Sequence, residues 1–156
     1  MAILTDIIIA SPAEAEAICA DPQHSQRWPC LQYRDMNNLV LADLLDALWA
    51  DDDAKALRGV DRLVYSRGRE GPWVFHLPDT LRVGLASLED ETIPEVAERW
   101  AEGEELSFDL GFARRLKAQV QVQDVLQDLI SVLGPLRDFS RQALAANKPL
   151  LLWMSL

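Results

Sequence analysis

Runs of apolar residues set out the elements of this chain. "ILTDIIIA" at residues 3–10 is apolar and β-branched, which predicts a strand. Ser11, Pro12 and Glu14 follow it as an N-cap, a first-turn proline and a capping-box acid. They predict a short helix through Ala20, ended by Asp21-Pro22. Residues 21–37 read as loop, with Trp28, Leu31 and Tyr33 as core anchors. Asn37 or Asn38 then caps a helix whose Leu41, Leu44, Leu45, Leu48 and Trp49 share one face. Asp51-Asp52-Asp53 ends it or caps a short helix over 54–58.

Leu63-Val64-Tyr65 is too short to classify, and "SRGREGP" is a turn. "WVFHL" at 73–77 predicts a second clear strand, stopped by Pro78. Asp79 or Thr80 caps a helix carrying Leu81, Leu85 and Leu88, and Thr92 caps one carrying Ile93, Val96, Ala97 and Trp100. The longest helix is expected from about Phe112 to Leu133, broken at Gly134-Pro135. A final helix then carries Leu136, Phe139, Ala143 and Leu144, with Asn147 as a left-handed cap.

The chain closes on "NKPLLLWMSL". This run is too short to span a bilayer and lacks the alternation of a half-exposed edge strand. A strand covered on both faces fits it better than a membrane tail or a peptide held out for a partner. Its counterpart in composition is residues 3–10, so the two are expected to pair in the middle of a small sheet that "WVFHL" joins. The expected fold is a single α+β domain over residues 1–156, with about six helices packed on a small mixed sheet.

Composition narrows the classes of function. A chain of 156 residues with 49% hydrophobic and 26% charged residues is a folding domain, not a disordered one. Its net charge of -10 argues against nucleic acid and anionic membranes as partners. The charge is segregated. Residues 1–53 hold ten acids against two bases, and residues 87–110 nine against one. The segments between and after them are net basic. Asp51, Asp52, Asp53, Glu104 and Glu105 are therefore candidates for an acidic, partner-binding surface. The N-terminus lacks the basic start of a signal peptide, and Cys19 and Cys30 make no disulfide framework. A cytoplasmic protein with reduced thiols is expected.

The chain is poor in catalytic signatures. No G-x-S-x-G, H-E-x-x-H, P-loop or G-x-G-x-x-G occurs. Cys19, His24 and Cys30 have neither paired zinc spacing nor an obvious fourth ligand, so no metal and no cofactor are expected. His24 reads as an incidental loop histidine. His76 lies mid-strand on the same side as Val74, facing either solvent or a pocket wall. Of the five tryptophans, Trp49 and Trp100 sit on helical apolar faces; Trp28 and Trp73, in a loop and at a strand start, are the candidate interface aromatics.

Three stretches, "DIIIASPAEAEAI", the "W-P-x-L…NNLVLADLLDAL" segment and "LRDFSRQALAANKPLLLWMSL", follow an order of elements that resembles the YfbM-like family of small uncharacterised bacterial proteins. The likeness covers most of the chain but departs around residues 51–78. It implies an α+β fold, no established activity and no functional residue to carry over.

Two functions remain as expectations. One is a non-enzymatic protein-binding module that presents its acids to a basic protein, as an immunity or antitoxin-type protein would. The other is a small-ligand binder or enzyme with a pocket at the sheet face, lined by Tyr33, Val74 and His76. The chain is a monomer or, through Trp28 or Trp73, a homodimer.

Overall fold

The computed structural model describes residues 3–50, 61–106 and 122–156. Five strands form one sheet: β1 (Leu4–Ile9), β2 (Cys30–Arg34), β3 (Arg62–Ser66), β4 (Trp73–His76) and β5 (Leu150–Ser155). Their order is β2-β1-β5-β4-β3 and every pairing is antiparallel. The small mixed sheet expected from the pattern is thus purely antiparallel. The expected pairing of the terminal strands holds, with Ile7 opposite Leu152 and Ile8 opposite Leu151.

β5 lies between β1 and β4 and is covered on both sides. Leu150, Leu151 and Leu152 are all buried, and this explains the unbroken apolar run at the end of the chain. On one face, Ile7, Ile9, Leu150, Leu152 and Met154 pack beneath α3 (Asn38–Leu48), α4 (Asp79–Ala86), α5 (Ile93–Ala101) and α6 (Val122–Ala145). On the other face, Ile8, Val74 and Leu151 pack against Ala15 and Ile18 of α1 (Ala15–Ala20), which follows a 3-10 turn over Pro12–Glu14.

Local chemistry accounts for the joints. Glu14 accepts from the Ser11 backbone N–H at 2.8 Å and completes the anticipated capping box. Asn37 caps α3 by accepting from the Leu39 and Val40 N–H groups. Asn147 takes a positive φ of 50° beyond α6, and this left-handed residue turns the chain into β5. Arg141 donates to the Ala86 and Leu88 carbonyls, each at 2.9 Å, and so satisfies the C-terminal end of α4 from the neighbouring helix.

Two expectations need correction, and one stretch left unclassified finds its place. Residues 21–37 are not all loop, for they contain the short helix α2 (His24–Arg27) and the edge strand β2. Leu63-Val64-Tyr65 belongs to β3, which hairpins with β4 and carries a bulge between Leu63 and Tyr65. Gly134-Pro135 does not end a helix, since α6 runs through both residues to Ala145. Its buried stripe of Leu129, Leu133, Leu136, Phe139 and Ala143 spans the proline, and the helix packs against α4 and α5. The start of that helix, expected near Phe112, and the short helix over 54–58 lie outside the described residues. Among the described residues, no helix is long and apolar enough to cross a membrane.

Candidate functional site

The face of the sheet under α1 and α2 contains an acid that strand chemistry does not explain. Alternation along β1 sends Thr5, Ile7 and Ile9 to the large helical layer and Leu4, Asp6 and Ile8 to the opposite side. Asp6 is only 4% exposed, flanked by Gln32 of β2 and Trp153 of β5. His24, the first residue of α2, is buried above it at 8% exposure. Its Nε2 lies 2.6 Å from Asp6 Oδ2, and its Nδ1 lies 3.1 Å from the Asp21 carbonyl oxygen.

These partners fix the proton count. A carbonyl oxygen only accepts, so Nδ1 carries a hydrogen and donates to Asp21. Nε2 and Oδ2 then need one further proton between them, because two lone pairs cannot face each other at 2.6 Å. The pair is held as imidazolium and carboxylate, or as imidazole and carboxylic acid, and is neutral in either form. The Trp153 ring packs on His24 with centroids 4.7 Å apart and planes at 44°. Cys30 lies beside the pair. Burial, and then the nearby Asp6 carboxylate, push its thiol up to about 12.

A concavity of about 400 Å³ opens over this pair. Pro22, His24 and Ser25 form one wall, Gln32, Tyr33 and Arg34 of β2 another, and Leu4, Asp6 and Trp153 the sheet side. Among the described residues no cluster of His, Cys, Asp and Glu could hold a metal ion. Both cysteines are free thiols.

The residues singled out from sequence fall in different places. Asp51, Asp52 and Asp53 lie outside the described residues. Glu104 is exposed, and the Glu105 backbone N–H donates to Asp43 Oδ2 at 2.8 Å, which brings the acids of α3 and those after α5 together. Trp28 is half-buried and donates its indole N–H to Glu14 Oε1 at 3.1 Å. Trp73 is half-buried against the large core. The three pocket candidates do not assemble. Val74 is sealed beneath α1, and half-buried His76 shares its face with two strands, β1 and β5, between it and β2. Tyr33 sits in β2, not in a loop; it borders the cavity over Asp6, while its side chain packs with the opposite core, where burial pushes its phenol up to about 12.

The Asp6–His24 pair was missed because its members are eighteen residues apart and meet only through the strand register. Its one signal was an aspartate inside "LTDIII", a place where an acid needs a partner. The fold and site together define an antiparallel α+β domain with a polar pocket on the less covered face of its sheet. No family model matches the chain, and comparisons with curated proteins and with solved structures find no match.

Proposed function

We propose that this is a non-enzymatic binding protein that takes a small polar ligand in the pocket over Asp6 and His24. The observation that carries this reading is the Asp6–His24 bond itself, at the base of a 400 Å³ concavity. A buried ion pair gives little net stability compared with an apolar pair of the same volume, so its place beneath an open cavity suits a binding role. Both ring nitrogens of His24 are engaged, so the imidazole presents no free base to a ligand and serves to hold the Trp153 wall in place. The setting is cytoplasmic on this reading, in keeping with two free thiols. A fragment mixture followed by NMR tests it, with the Trp153 indole signal assigned through Trp153→Phe. Saturable shifts confined to Trp153, His24 and β2 are expected. If every fragment leaves these signals in place, the reading fails.

A second reading has its own support. Asp43 and Glu105 join the acidic blocks of α3 and α5 into one region, which would attract a basic protein partner in an immunity or antitoxin-type role. A partner captured at low salt should be lost when Asp51, Asp52, Asp53, Glu104 and Glu105 are changed to their amides. Unchanged capture would end this reading.

A further inference from the structure

The pocket over Asp6 is bordered by a guanidinium on an acidic protein, and the geometry points to a small organic carboxylate with an apolar body as its ligand. This rests on the pocket reading above and gives it a chemical class. The argument begins with charge. The Asp6–His24 pair shares one proton and is neutral, so it adds no net charge to the lining. Of the other acids nearby, Asp21 is ion-paired, and Asp35 is held by a neutral N–H that leaves its charge in place. Asp21 accepts from the Gln23 N–H at 2.8 Å and pairs with Arg27 at 2.9 Å, while Asp35 accepts from the Ile3 N–H at 2.8 Å. Arg34, which lines the cavity, makes no ion pair or side-chain hydrogen bond among the described residues. Register places it opposite Leu4, on the same face as Asp6.

Gln32 and Ser25 likewise line the cavity without a side-chain partner among the described residues. An unpaired guanidinium, a carboxamide and a hydroxyl thus converge on one space. A guanidinium offers two parallel N–H donors that match a carboxylate, and the other two groups can donate to its remaining lone pairs. The other surfaces of the space are apolar, formed by Leu4 (47% exposed), Pro22 and the Trp153 ring. Leu4 is one of the few large apolar side chains left open, and a hydrocarbon or aromatic body would cover it. The net charge of -10 does not forbid an anion here, because at physiological salt the distant acids are screened beyond about 8 Å.

Benzoate and its neutral isostere benzamide separate charge recognition from shape. Both are titrated into the protein in 0.15 M salt while the Trp153 indole and His24 ring signals are followed by NMR. Benzoate should bind saturably and at least about tenfold more tightly than benzamide, the difference one charge-assisted pair supplies. Arg34→Gln, a change at an exposed position, should abolish that preference and leave the remaining spectrum in place. Equal affinity for the two probes overturns the carboxylate assignment but leaves the pocket reading intact. Binding of other fragments with neither probe bound would overturn it in the same way. If no fragment of any charge moves these signals, both readings fall together.

Discussion

Asp6 stands in a strand whose next three residues are isoleucines, and only a partner as deeply buried as itself makes that placement tolerable. Truncating one member of such a pair leaves the other buried and uncompensated. His24→Ala should therefore destabilise the fold by about 3–5 kcal/mol in urea unfolding, while Asp6→Leu combined with His24→Leu should cost clearly less. A double variant as unstable as the single one would show that the pair contributes more than mutual compensation. Cys30 gives a pH signature with a definite sign. Its thiol is held up to about 12 when folded, against an ordinary value of 9.0, so between these limits the folded chain keeps a proton that the unfolded chain loses. Stability should fall as pH rises through that window, less steeply in Cys30→Ala, and alkylation of Cys30 at pH 8 should be slow. The pattern of residues in β1 could show an anomalous acid, but not its partner. Proximity of Asp6 and His24 depends on where α2 crosses the sheet, and no periodicity in residues 21–37 records that crossing.

At the scale of elements, the pattern succeeded where one face of a helix or strand is consistently apolar. The helices α3, α4 and α5 and the strands β1, β4 and β5 belong to this group. It failed where a local rule and tertiary packing disagree. Pro135 removes an N–H and crowds the preceding turn, which predicts a break worth about 3 kcal/mol. Against this, burial of Leu133 and Leu136 on either side contributes roughly 1.5–3 kcal/mol each, and both belong to one continuous buried stripe. Packing wins, and the helix continues. Pro135→Ala should accordingly raise stability by about 1–2 kcal/mol, the helix gain offset in part by a freer unfolded chain. Loss of stability on that change would mean that the proline supplies a shape α6 requires. A tighter constraint lies between α3 and the residues after α5, where a Cβ added at Gly103 would come within 2.7 Å of the Asp43 side chain. Gly103→Ala should displace the Asp43 carboxylate from the Glu105 N–H and lower the melting temperature.

For the molecule as a whole, the apolar pattern was a sound guide to fold class and a poor one to arrangement. Apolar runs at both ends were enough to anticipate that β1 and β5 pair, because only a fully covered strand accommodates such a sequence. The order β2-β1-β5-β4-β3 was not legible, since β2 and β3 are short edge strands whose exposed faces dilute the apolar signal. The charge of -10 acts at this scale too. Raising NaCl from about 10 mM to about 150 mM shortens the screening length from about 30 Å to about 8 Å. Self-repulsion should weaken and the melting temperature should rise, and a fall instead would assign the acids to stabilising pairs. The position of β5 also sets a timetable. During synthesis β1–β2 and β3–β4 emerge long before it, as two part-sheets whose inner edges have no neighbour, and β5 is the strand that joins them. Until that moment the nascent chain has two open templates for strands from other molecules, so the interval between the making of β4 and the making of β5 is when its sheet edges are most open to mispairing.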